Sequence, residues 1–381
     1  MAANEVVYFS SDETGAPTLN NAAGSMINVL DACLINGFNV KSVASIVVAS
    51  AVATATITGH GYLAGRMIDI AGATPSGLNG RKLILAVVSA NAVTFAATGI
   101  SDQTATGTIT AKRSPLGWVK QFAGTNKAMY SRSDVTATAM LLRIDDTGAS
   151  PASAGYARAL MVETATDVDT YTGPAPTEAM LSGGQYWSKG QNNTTAKQWR
   201  LVGDGVVFYF FADDRDYPYS NYGGLHPQGF GDAVSYKAGD AYGCMLMGQW
   251  SEGAAYMFMN QWQYHCVFSR QNNGIGEAVR AQILGAGHNT SSIGGTGAYP
   301  SPVDNGMVLQ APMFVREQSA TYSDPIRGQM RGLIMPMANA LSLHGQVLTG
   351  LTGFAGSVLF VGWSAVGQVG AIGIDLTGPW G

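Results

Sequence analysis

Hydrophobic residues in this chain recur mostly at every second position, the spacing of a strand with one buried face. Val52 to Thr58 alternates cleanly, and Met67 to Ile70, Leu83 to Val88 and Val93 to Phe95 repeat the habit nearby. Ser89 to Ala92 separates two of these runs as a hairpin loop, and Thr106 to Thr110 closes the set. Pro75-Ser76-Gly77 and Asn79-Gly80 carry turn chemistry between them. Residues 43–113 therefore predict a small β-sandwich or barrel of roughly five or six short strands.

Helical spacing is clear in one place. Met26, Ile27, Leu30, Cys33 and Leu34 follow it, and Asn36-Gly37 is a stop signal. A short β run, Val6 to Phe9, and a turn-rich loop, Asp12 to Asn21, come first, so residues 1–42 read as an anchoring segment with one helix. The helix's apolar stripe needs a partner, either the main domain or a neighbouring subunit. From Ser114 onward the chain is more aromatic and holds all seven tryptophans. Strands are predicted at Ala137 to Ile144, Ala157 to Glu163, Trp199 to Val202, Val206 to Phe211, Gly253 to Met259, Met307 to Arg316 and Ser357 to Trp363. The predicted class is mainly β: a strand-helix segment, a small β-sandwich, and a large sandwich-like β domain over residues 114–381. Leu348 to Ile374 is the most apolar stretch, yet seven glycines interrupt it. Short buried strands fit it better than a helix, and no membrane span is expected.

Composition changes the picture in one respect. Charged residues make up 12% of the chain, against roughly 25% in an ordinary soluble domain. Glycine is abundant, 49 of 381 residues. A free-standing protein normally keeps a charged coat; a chain without one is expected to be covered by copies of itself or by neighbours. The net charge is −4 with no lysine- or arginine-rich run, so no nucleic-acid partner is expected. Cys33, Cys244 and Cys266 are odd in number and far apart, which predicts buried reduced thiols rather than disulfides or a zinc site. The first residues lack the basic and apolar regions of a secretory signal.

The densest polar-aromatic run is Asp213-Asp214-Arg215-Asp216-Tyr217-Pro218-Tyr219-Ser220-Asn221-Tyr222. It reads as a charged turn after a strand. Alternatively, Asp213, Asp214, Asp216, Tyr217, Tyr219 and Tyr222 contact a protein partner or a glycan, since aromatic anchors dominate many interfaces. A hard cation on the carboxylates is a third option, but the EF-hand spacing is absent. Asp204, Asp213, Asp216, Asp232 and Asp240 supply acids for glycoside hydrolysis only if a fold sets their separations. His226, His265, His288 and His344 are scattered, His60 sits in a Gly-His-Gly turn, and Gly294-Gly295-Thr296-Gly297 lacks a P-loop lysine. Met245 to Trp250 and Tyr256 to Trp262 suit a core or a subunit interface. No catalytic residue, cofactor or metal is assigned, and the chain is expected not to be an enzyme.

Residues 43–113 carry a further pattern: Thr54-Ala55-Thr56, Gly59-His60-Gly61-Tyr62, Gly65, Gly72-Ala73, Leu78-Asn79-Gly80, Thr94-Phe95, Gly99 and Ala105-Thr106-Gly107-Thr108. This resembles small Ig-like β-sandwich modules of tail and other virion proteins in tailed bacteriophages. Leu116-Gly117-Trp118, Ala123-Gly124-Thr125-Asn126-Lys127, Arg327-Gly328, Arg331 to Pro336 and Asp375 to Trp380 resemble the same class more loosely. The resemblance implies a multicopy structural protein of the virion, assembled in the bacterial cytoplasm, with itself and other virion proteins as partners. Tail tip or baseplate is the expected position, with a host-surface glycan or protein receptor as a further partner. Head or neck decoration and a glycan-binding or depolymerising tail spike are the alternatives.

Overall fold

The structure is a computed structural model that describes residues 5–148, 155–189, 194–213, 225–250, 265–284, 299–319, 324–338, 340–365 and 368–380. Strands dominate it, and Ser25–Leu30 is the one α-helix among the described residues. The fold is mainly β.

A ten-stranded sheet forms the centre. It runs from Val7–Ser10 at one edge through Trp199–Gly203, Val207–Asp213, Leu225–Asp232, Cys244–Met247, Cys266–Phe268 and Val279–Leu284 to Phe314–Glu317, Ile326–Gln329 and Val234–Ser235. Its central strands are apolar on both sides because both faces are covered. Val207–Asp213 sends Val207, Tyr209 and Phe211 into one core and Phe208, Phe210 and Ala212 into another. Side chains on successive strand residues point to opposite faces, so a continuous apolar run marks a middle layer. The first core is closed by the strands Val358–Ala365 and Gln368–Asp375 through Leu359, Val361, Ile372 and Ile374. The second is closed by a five-stranded sheet that includes Lys127–Ser131, Leu141–Asp145, Tyr156–Val162 and Gln185–Ser188, together with the N-terminal helix.

That helix finds its partner inside the same chain. Met26, Ile27, Val29, Leu30, Cys33 and Leu34 lie in one core with Tyr130, Trp187 and Trp199. The α-helix lasts six residues and then widens into a π-turn over Asp31–Asn36. It stops at Gly37, whose φ of 70° suits a residue without a Cβ.

Residues 38–113 make a separate eight-stranded sheet system with its own core of Ile46, Val48, Ile57, Ile68, Ile70, Ile84, Val93 and Phe95. The strand Gly80–Ser89 pairs with Met67–Ala71 over its first residues and with Ala92–Ala96 over the rest, so it carries the sheet around a corner. Gly72 and Gly107 hold a close backbone crossing: a Cβ on Gly72 would land on the carbonyl oxygen of Thr108. Arg113, at the end of the last strand, ties this unit to the body. It pairs with Glu13 and donates to the carbonyls of Met67 and Tyr8.

Several strand boundaries differ from expectation. Thr106 to Thr110 is not one strand; Thr110–Arg113 is the paired segment, and Thr106 only bridges Thr74. Met307 to Arg316 divides into Leu309–Gln310 and Phe314–Glu317, which belong to different sheets. Pro312, without an N–H, sits at the break. Leu348 to Ile374 is built from one short and two long strands. Gly253 to Met259 lies outside the described residues.

Candidate functional site

Of the Asp/Tyr run singled out from the sequence, the structure describes only Asp213, the last residue of Val207–Asp213, paired in register with Leu225. Asp214, Asp216, Tyr217, Tyr219 and Tyr222 lie outside the described residues. The registers fix which end of the sheet Asp213 marks. Gly229 faces Met247, Met247 faces Cys266, and Cys266 faces Ala281. The strand ends at Asp213, Met247, Cys266 and Leu284 therefore share one end of the ten-stranded sheet.

A cavity of about 660 Å³ opens between the five-stranded sheet and the central sheet. Thr136, Thr138, Met140, Thr164, Asp240 and Tyr242 line it, with Glu163 on its wall. A second cavity of about 490 Å³ has Glu163 on its wall too, with Thr177, Glu178, Ser269, Arg270 and Glu277. The partition is an ion pair: Arg270 donates to the two oxygens of Glu163 at 2.7 and 2.8 Å. The Arg270 guanidinium also sits 5.0 Å from the ring centroid of Tyr242.

Two buried arginines behind the larger cavity's lining hold Asp240 and Thr138 in place. Arg327 forks onto Asp240 with two bonds of 2.9 Å and reaches Glu317 at 3.0 Å. Its remaining donors meet the carbonyls of Arg270 and Tyr242. Arg132 holds Asp232 at 3.0 Å and the Thr138 hydroxyl at 2.6 Å, while the Thr138 amide donates to Asp232 at 2.7 Å. Burial by itself would push the Asp240 carboxyl up; Arg327 and the Ser235 hydroxyl outweigh it and hold the group below its ordinary value. Asp204 goes the other way. Burial raises it, although the amides of Val206 and Val207 donate to its Oδ1.

Three of the acids considered for hydrolysis carry internal duties. Asp204 caps a turn, Asp232 anchors Arg132, and Asp240 anchors Arg327. The cavities present hydroxyls, a tyrosine and paired charges in fixed positions. That chemistry suits hydrogen bonding to a polar partner.

Among the other singled-out residues, His60, His265 and the cysteines are internal, while His288, Gly294 to Gly297 and Tyr256 to Trp262 lie outside the described residues. The Nδ1 atom of His60 accepts from the Tyr62 amide at 2.9 Å, which leaves Nε2–H to donate to the Ser89 carbonyl at 3.1 Å. His265 is buried, and burial with nearby Arg280 lowers it to about 4, so it is neutral at pH 7. All three cysteines are free and buried. Burial pushes Cys244 up to about 12 and raises Cys33 and Cys266 as well, which keeps all three protonated at neutral pH. Among the described residues, no three His, Cys, Asp or Glu side chains gather to hold a metal. No described helix is long and apolar enough to cross a membrane.

Sequence reasoning missed the arginine-centred pairs Arg327–Asp240, Arg132–Asp232 and Arg270–Glu163. The available signal was a lone arginine within an otherwise uncharged strand, as in Ile326–Gln329. Comparison with models of known protein families and with curated protein sequences returned no match. The class that can be stated from structure is therefore architectural: a mainly-β protein of stacked antiparallel sheets.

Proposed function

We propose that this chain is a non-enzymatic structural component of a tailed-phage particle, placed at the tail tip or baseplate, where it assembles with copies of itself and contacts the host surface. The observation that supports it is where the charges sit. At least eight of the chain's 21 lysines and arginines are buried: Arg113, Arg132, Arg143, Arg158, Lys189, Lys197, Arg200 and Arg327. A chain already poor in charge thus spends a large share of it inside, and the surface is left poorer than composition alone implies.

The outer face of residues 43–113 illustrates the consequence. Thr104, Val47, Thr54, Thr94 and Ala86 form one row across the strands, with no charged side chain in it. Leu83, Leu85, Val87 and Val88 on Gly80–Ser89 are exposed. Surfaces of this kind invite coverage in an assembly.

Sedimentation velocity of the purified chain at high concentration tests the assembly part. Discrete multimers are expected, and a lone well-behaved monomer overturns it. Immunogold labelling of intact particles tests the position. Label at the tail end is expected, and label confined to the capsid shell overturns the placement. Adsorption of particles carrying Tyr219→Ala tests host contact: normal assembly with reduced adsorption is expected, and unchanged adsorption removes that tyrosine from the contact.

A further inference from the structure

Lys189 and Asp146 form the most deeply buried ion pair among the described residues. Nζ lies 2.5 Å from Oδ1, and both side chains are 0% exposed. Each residue directly follows a strand, Asp146 after Leu141–Asp145 and Lys189 after Gln185–Ser188, with Tyr156–Val162 running between those two strands. Both backbones are fixed. The Asp146 amide donates to Asn126 at 2.8 Å, its carbonyl accepts from Gly24 at 3.0 Å, and the Lys189 amide donates to Gly155 at 2.8 Å. Chain neighbours Ile144 and Trp187 belong to the apolar core, as does Met26.

We propose that this pair is a covalent modification site, at which Lys189 and Asp146 condense into an intramolecular isopeptide bond. The two oxygens of Asp146 already play different parts. Oδ2 accepts the Met26 amide at 2.8 Å, while Oδ1 faces the lysine nitrogen. The condensation begins with transfer of a proton from Nζ to Oδ1, which leaves an amine and a carboxylic acid and removes two charges from a buried site. Burial indeed raises the Asp146 carboxyl, against the opposing pull of Lys189.

The neutral nitrogen then attacks Cγ and forms the C–N bond. Negative charge develops on Oδ2, where the Met26 amide meets it. The Cγ–Oδ1 bond breaks, the departing hydroxyl takes a proton from nitrogen, and one water leaves. No oxidant or other co-reactant enters. Fixed backbones on both sides supply the proximity that such a step requires.

The product suits its surroundings. Lys189 Nζ now donates to the carbonyls of Ala22 at 2.9 Å and Asn21 at 3.4 Å. The amide nitrogen retains one hydrogen, enough for the shorter of these bonds. The bond would close a loop over residues 146–189 and staple the strands on either side of Tyr156–Val162. A particle protein exposed to proteases and shear gains from such a staple, but the chemistry does not depend on that role.

Denaturing mass spectrometry with peptide mapping of the full chain decides the matter. The expected result is a mass about 18 Da below that of the unmodified chain, a branched peptide joining Lys189 to Asp146, and no tryptic cleavage after Lys189. Lys189→Arg should restore the full mass. Asp146→Asn should form the same amide with loss of ammonia, a deficit of about 17 Da. A wild-type chain that keeps its full mass after prolonged incubation in the folded state overturns the proposal. So does a water loss with Lys189 still cleavable, which signals a succinimide. The wild-type measurement stands by itself if either variant fails to fold.

Discussion

The two regions of this molecule solve the same problem differently. Residues 38–113 form a thin unit whose strands bury one face. Ile46, Val48, Ala53 and Ala55 point inward, while Val47, Thr54 and Thr56 point outward. The body stacks three layers, so its central sheet has no solvent face to spare. In the small unit, alternation is visible and the core is aliphatic. In the body, aromatic side chains fill both sides of Val207–Asp213, and charges that would ordinarily face water are folded in as pairs. A third layer makes polar residues hard to place, and arginine answers this with five donors that can meet carboxylates and carbonyls together. Junction residues show the same device at smaller scale: Arg113 joins Glu13 across the boundary, and Arg66 lies 3.7 Å over the Tyr8 ring.

The contrast can be broken most forcefully at Arg327. Replacing it with alanine leaves Asp240 and Glu317 buried without their cation, which costs about 3–5 kcal/mol. Urea unfolding followed by tryptophan fluorescence should show it, because every tryptophan lies at or beyond Trp118 and so reports the body. A loss below about 1 kcal/mol would mean that the arginine network is dispensable to the body.

Ile68→Ala asks whether the small unit stands apart. Ile68 is fully buried in its core, and the truncation should cost about 2–4 kcal/mol. Hydrogen exchange should register the loss within residues 38–113 while the tryptophan transition holds its position. An equal shift of both would join the regions into one cooperative unit.

Acid provides a gentler probe of the body. Asp240 is held below its ordinary value when folded, so its contribution is present above the unfolded carboxyl value of about 3.9 and is lost as pH falls through the lower folded value. Asp240→Asn should flatten that part of the acid-denaturation curve. An unchanged slope would assign the acid response to other groups.

The smallest effect on folding is expected on the exposed strand. Leu85→Thr combined with Val88→Thr should move stability by no more than about 0.5 kcal/mol. Light scattering should nonetheless show weaker self-association. A large stability loss instead would mean that these side chains are packed within the chain.

How much was legible from sequence follows the number of covered faces. Four of the small unit's eight strands could be read within a few residues, since one buried face writes itself as alternation, whereas Phe38–Ser42, Ser45–Ala49 and Gln103–Thr104 were not read. The helix was equally clear from Met26, Ile27, Leu30, Cys33 and Leu34. In the body, the run from Val207 to Phe211 gives strand without saying which side is inside, because both sides are. The candidate site was less legible still. Its wall combines Glu163 with Arg270, and Arg327 behind the lining holds Asp240, pairs 107 and 87 positions apart. No local spacing encodes such partners.

Sequence alone determined that this is a mainly-β protein with a short N-terminal helix, three cysteines in no disulfide or zinc pattern, and few charged residues. Those are properties of composition and of neighbouring residues, and they survive without knowledge of what touches what. Tertiary structure decided that the N-terminal helix caps the body's own core, that the central sheet is a middle layer, and which carboxylate each arginine or lysine meets. Such choices are made between residues far apart in the chain, where burial makes an unpaired charge too costly and so fixes the partner by geometry.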